Sequence, residues 1–175
     1  LNPLPHIDPV GTVLLPFLLI ATQSGFVFGW AKPVPVNFTN LRNPKSDMVK
    51  VALAGPLTNL VLAVLSAAVV HALAGISLPA AGSAAALAQW FLVPAGLMAI
   101  KGVQINIILA VFNMIPILPL DGGRVLAGLL PMRQAIAFSR MEPYGMLIVV
   151  ALLVTDTLGR VMGPAVFFLW RLLGM

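Results

Sequence analysis

Phe112-Asn113-Met114-Ile115-Pro116-Ile117-Leu118-Pro119-Leu120-Asp121-Gly122-Gly123-Arg124 puts an amide and a carboxylate at the end of a long apolar segment. Pro116 and Pro119 rule out a regular helix across its middle, and the Gly122-Gly123 pair lets the backbone come close to whatever Asp121 faces. Two readings of Asp121 stay open. In one, Leu-Asp-Gly-Gly is the turn at which a hydrophobic segment leaves a bilayer, and Asp121 caps a helix that starts at Gly122 or Gly123. In the other, Asp121 is a metal ligand or a proton-handling group held in place by Asn113, because an ionisable side chain at membrane depth is costly and marks function.

Composition supports membrane depth. Of 175 residues, 60% are hydrophobic and 9% charged, with a mean hydropathy of +1.04, so the chain is an integral membrane protein whose medium is the lipid bilayer. The net charge of +5 comes from Lys and Arg between apolar segments, not from a basic groove interleaved with aromatics, which argues against nucleic acid. The absence of cysteine excludes disulfides, thiolate catalysis and Cys-based zinc sites. Any metal must then be held by His and carboxylate, and the chain has two His and five acids.

The first nine residues, with Pro3, Pro5 and Pro9 around His6 and Asp8, read as the middle of a loop and predict missing upstream residues. His6 and Asp8 fit either a metal-touching pair or, more commonly, side chains that satisfy loop backbone. Val10 to Ser24 is apolar but short for a crossing. Gly25 to Asn37 alternates small and large residues around Trp30, Pro33 and Pro35, which fits an extended β-like segment whose edge pairs with an unwound peptide, or a surface loop anchored by Trp30.

After the polar turn Asn40 to Asp47, with Ser46 or Asp47 as cap, a helix is predicted from Met48 to Ala74. Gly55 and Asn59 share one face of it, either as packing contacts or as a small residue and an amide turned toward a buried partner. His71 reads as an interfacial histidine. Gly75 to Ala86 is a short external loop, and residues 87 to 120 are too long for one span, so Pro94 is predicted to break them before a span from Leu97 to Ile115. Asn106 and Asn113, seven apart, form a polar stripe on that span. An amphipathic piece from Arg124 to Phe138, an apolar stretch from Tyr144 to Thr155, and a segment from Val161 to Leu173 that returns or lies in the interface complete the chain. Lys32, Arg42, Lys45 and Lys50 fall on one side, and Arg124, Arg133 and Arg140 follow two further crossings, which places all of them, and the Asp121 end, on the cytoplasmic side.

These residues resemble the site-2 protease family of intramembrane zinc metalloproteases in its compact bacterial or archaeal form. The resemblance rests on Asn2-Pro3 through Gly11, Gly29 through Asn37, Ala54-Gly55-Pro56-Leu57-Thr58-Asn59, and Phe112-Asn113 through Arg124, four stretches in family order. It implies that Asp121 is a zinc ligand and that Asn113 lines the active site. Gly29, Trp30, Ala31, Lys32, Pro33, Val34, Pro35 and Asn37 map to the membrane re-entrant β-loop that engages substrate, and Gly55 and Asn59 map to the family's Gly-xxx-Asn helix motif; with these two, Asn106 and Gly122 are expected to line the site. The family's His-Glu-xxx-His helix, which supplies two zinc ligands and the general base, does not occur in these residues. It belongs upstream of Leu1 in relatives, so the sequence reads as a member without its first transmembrane segment.

The resulting expectation is an all-α polytopic membrane protein, one unit over residues 1–175 with about four transmembrane segments and a short re-entrant β-like loop. The complete protein is expected to cut membrane-embedded peptide or protein substrates with zinc, in a bacterial or archaeal cell membrane. Two rivals stand beside it: a catalytically inactive relative that binds membrane segments, and a small membrane transporter, against which the absence of an inverted repeat argues.

Overall fold

The computed structural model describes residues 7–23, 43–76, 82, 85 and 88–175. The chain divides into two units, residues 1–41 and 42–175. In the first, a π-helical turn over Pro9–Leu14 runs into α1, Leu15–Ala21. Asp8 starts it as an N-cap, its Oδ1 accepting the N–H groups of Val10 and Gly11, each at 2.9 Å. Helix therefore begins at Pro9, the last of the nine residues that read as loop, because Pro9 occupies the first turn, where its missing N–H costs nothing. Asp8 thus satisfies loop backbone, one of the two roles open to it. His6 and the extended segment from Gly25 to Asn37 lie outside the described residues, and among those described there is no strand.

The second unit is built on two long helices. α2 spans Pro44–Ala74, 31 residues, and so is about 46 Å long against a hydrocarbon core of about 30 Å. Its start corrects the sequence expectation. Neither Ser46 nor Asp47 is the cap; Asn43 holds that position, Pro44 opens the first turn, and the Asp47 carboxylate reaches back to the Asn43 N–H at 3.1 Å and forward to Lys50 at 3.1 Å. Pro56 is buried inside α2 without ending it, as membrane-spanning helices tolerate.

The partner of α2 is α3, Val93–Asn113, entered through a π-helical turn over Ala88–Leu92. Pro94 does not break this segment. It sits in the first turn of α3, so 26 residues from Ala88 to Asn113 run as one span, which stops two residues short of the expected Ile115 as the chain approaches Pro116. α2 and α3 meet through small side chains: Gly102 faces Ser66 so closely that a Cβ there would stand 2.8 Å from the serine Oγ. Ala63, Ala67, Val103 and Ile107 form the core beside this crossing, the last two with no exposed surface.

Four shorter helices follow: α4, Asp121–Leu129; α5, Met132–Ser139; α6, Glu142–Val154; and α7, Thr157–Leu172. The amphipathic piece predicted as continuous is thus two helices parted at Pro131. The Lys45 ammonium donates to the Leu130 carbonyl at the end of α4, tying it to the start of α2. α7 packs Val166, Leu169, Trp170 and Leu173 on the α2–α3 core, and an imidazole nitrogen of His71 stands 2.9 Å from the Leu173 carbonyl, so His71 pins the end of the last helix.

α2 and the Ala88–Asn113 segment are long and apolar enough to cross a membrane, and α5 with α6, bent by 64°, makes a third if taken as one span. Two to three spans therefore stand among the described residues where about four are predicted, because α6 and the apolar Pro9–Ala21 segment each fall short of a crossing. Apolar side chains face outward along α2, α3 and α6, as in a chain solvated by lipid. Ile107→Ala should lower stability by about 2 kcal/mol or more, since it leaves a void at the fully enclosed centre of three helices. Denaturation of the purified protein in detergent checks this; an unchanged midpoint would place the core elsewhere.

Candidate functional site

The site begins with how the loop from Met114 to Leu120 is held. Three glycines press on it where no side chain fits. A Cβ on Gly122 would stand 2.3 Å from the Met114 carbonyl oxygen, one on Gly123 2.5 Å from the Ile117 carbonyl carbon, and one on Gly145 of α6 1.5 Å from the Leu118 carbonyl oxygen. Leu118 is buried beneath them. The glycine pair therefore serves close approach, as the sequence indicates, but to its own preceding loop and not to the partner of Asp121.

With the loop fixed, Asp121 becomes the first residue of α4, after Leu120 in the cap position. It makes no side-chain capping bond, so the helix-cap reading of this carboxylate does not hold. Instead its Oδ2 faces α2 at Gly55, 3.0 Å from where a Cβ on that glycine would lie. This explains a small residue at position 55: any larger one pushes into the carboxylate. Asp121 is half-buried and, among the described residues, takes no hydrogen bond or ion pair. Outside the two long spans, its carboxyl is raised from the ordinary carboxylate value by burial, with the Arg124 guanidinium acting more weakly in the opposite direction.

Asn59, one turn beyond Gly55 on the same face of α2, and Asn113, the last residue of α3, are likewise half-buried and without a hydrogen bond among the described residues. Asn106 differs. Its amide donates to the Gly102 carbonyl of its own helix at 2.8 Å, so the predicted polar stripe reduces to Asn113. Gly122 contributes its backbone, buried against Met114. Gly29, Trp30, Ala31, Lys32, Pro33, Val34, Pro35 and Asn37 lie outside the described residues.

A carboxylate with open acceptor capacity suits metal ligation or proton transfer. The described residues supply that one donor and no group of three His, Cys, Asp or Glu side chains able to hold a metal. They do not by themselves form a zinc site, whose catalytic form takes three protein ligands. Beside the site, Pro56, Leu60, Met114, Ile115, Met162 and Leu169 line much of an apolar cavity of about 340 Å³ between α2, the end of α3 and α7. Pro56 immediately follows Gly55, which Asp121 faces, and Met114 immediately follows Asn113, so the cavity lies along the same two helices that carry Gly55 and Asn113. Sequence reasoning did not find this cavity, because α7 forms one wall and nothing local announces where α7 packs.

Comparison with known proteins finds a family and a relative for this chain. The model of peptidase family M50 matches residues 34–155, which include Gly55, Asn59, Asn113 and Asp121. The chain is 35% identical over 167 residues to YwhC of Bacillus subtilis (strain 168), whose name makes it a candidate zinc metalloprotease. That alignment covers 94% of this chain and 68% of the Bacillus protein. No solved structure matches the chain.

Proposed function

The chain belongs to peptidase family M50, the site-2 protease family, and from that premise we propose that the complete protein is an intramembrane zinc metalloprotease that cuts transmembrane segments. The observation that carries this reading is the Asp121 carboxylate: half-buried, held against Gly55 by a glycine-clamped loop, and uncommitted to any hydrogen bond among the described residues. A structural carboxylate in so apolar a chain would be expected to have a partner. One without is suited to be a ligand.

In this reading Asp121 supplies one zinc ligand, and the remaining ligands and the general base come from outside the described residues. When bound, zinc acts as a Lewis acid and lowers the pKa of its water. The chain's own residues have distinct tasks. Gly55 keeps Asp121 in place by leaving room for it. Asn113 and Asn59 offer amides for an unwound peptide backbone, each able to donate and accept. The segment from Gly29 to Asn37 holds an extended substrate by strand addition, with Trp30 at the membrane interface. The Lys and Arg side chains flanking the spans support a cytoplasmic position for these parts.

The test uses the complete protein in lipid discs with a single-span peptide substrate. Cleavage within the apolar span should stop with a zinc chelator and return on adding zinc. Cleavage indifferent to chelation would overturn the assignment; substrate binding without cleavage under any zinc supply would favour a non-catalytic binder of membrane segments.

A further inference from the structure

α5 is eight residues long, and a two-residue link with a 64° bend joins it to α6. α6 exposes Met146, Leu147, Ile148, Val150, Leu153 and Val154, a surface that only lipid or another apolar helix can cover. α5 therefore turns well away from the axis of the helix that follows it.

The faces of α5 divide cleanly. At roughly 100° per residue, Met132 and Ile136 make one stripe, Ala135 and Phe138 the next, and Arg133 with Arg140 the flank on the other side of Met132 and Ile136. Ala135 and Phe138 are half-buried against the protein. Met132 is 66% exposed and Ile136 50%, and Leu129, the last residue of α4, is 71% exposed. Gln134, opposite the stripe, is exposed and polar.

Charge completes the pattern. From Gly122 to Met141 there is no acidic residue, while Arg124, Arg133 and Arg140 fall within it. Lys45 and Lys50 line a cavity of about 580 Å³ against Gly128 and Leu129 where α5 begins, Lys45 holding the Leu130 carbonyl and Lys50 paired with Asp47. An uncovered apolar stripe edged by arginines, next to apolar spans, complements a bilayer surface carrying negative headgroups.

We propose that α5 is an interfacial helix. It seats Met132 and Ile136 at the hydrocarbon edge and binds anionic phospholipid headgroups through Arg133 and Arg140. The two arginines lie beside the apolar stripe, so their stems run along it while their guanidinium groups stay at headgroup level.

The absence of cysteine from these residues makes the test direct. Ile136→Cys and Gln134→Cys, each in the complete protein with any cysteine elsewhere replaced by serine, are labelled with an environment-sensitive fluorophore. The labelled proteins are placed in discs of phosphatidylcholine, with or without phosphatidylglycerol. The label at 136 should be quenched several-fold more by brominated acyl chains than the label at 134, which aqueous iodide should quench. In the phosphatidylglycerol discs, adding Arg133→Gln and Arg140→Gln together should shrink that contrast. Equal quenching of both positions would overturn the proposal, and so would a label at 136 shielded from both quenchers, which would mean that protein covers the stripe. A double arginine variant that behaves like its parent in phosphatidylglycerol discs would remove the headgroup contact.

Discussion

Replacing Asp121 by alanine in the complete protein should reduce bound zinc and peptide cleavage together, with cleavage falling by far more than a hundredfold, since even the outer partners of metal ligands cost about 10–100-fold when removed. The carboxylate makes no bond to the protein among the described residues, so its removal takes little from the fold. Thermal stability of the zinc-free protein should therefore stay near that of the parent, which separates loss of a ligand from loss of structure. Asp121→Asn gives a stricter comparison, because it keeps the shape facing Gly55 while removing the charge that zinc binds. Gly55→Val approaches the same carboxylate from the other side. Its branched side chain would occupy the space in which Oδ2 now sits, and an ångström of misplacement at a reacting centre costs about a hundredfold. Zinc content measured by mass spectrometry is the deciding readout; full occupancy in Asp121→Ala would remove Asp121 from the ligand set.

How far the sequence discloses this arrangement depends on whether a feature is local. Gly55 and Asn59 are readable as one face because they are four apart on a helix, and the apolar content of α2 and α3 requires no tertiary information. The end of α2 at Ala74 falls where the loop-like composition predicts. Its start does not, because Pro44 suits a first helical turn as well as it suits a loop, and tertiary contact at Lys45 favours the longer helix. Pro94 is misread for the same reason: proline ends a helix from within but opens one readily, and only the course of residues 88–92 distinguishes the two.

Contacts distant in sequence leave no local trace. Nothing near His71 predicts that its ring meets the Leu173 carbonyl, and nothing near Gly145 shows that it presses on Leu118. Asp121 stands out in the sequence because an acid is expensive in such surroundings; that it faces Gly55, and does not cap α4, requires the packing of α4 on α2.

That packing passes through the loop from Met114 to Leu120, which makes Gly145→Ala the most damaging small substitution expected among the described residues. A methyl group there would stand 1.5 Å from the Leu118 carbonyl oxygen, and the obstruction is backbone, which no rotamer change can relieve. Either α6 or the loop must move. Overpacking of this kind costs about 1–3 kcal/mol where side chains can shift, so a backbone clash should reach about 3 kcal/mol or more. Because the loop leads directly into Asp121, zinc affinity should fall with stability, in contrast to Asp121→Ala, where it falls alone. Gly163→Ala is the control. That glycine lies within α7 with open space around its Cβ position, so alanine there should be neutral or stabilise by up to about 1 kcal/mol through helix propensity. Melting of both variants in the same detergent decides the matter: if Gly145→Ala melts with Gly163→Ala, α6 does not clamp the loop, and the position of Asp121 must be set by α2 and α4 alone.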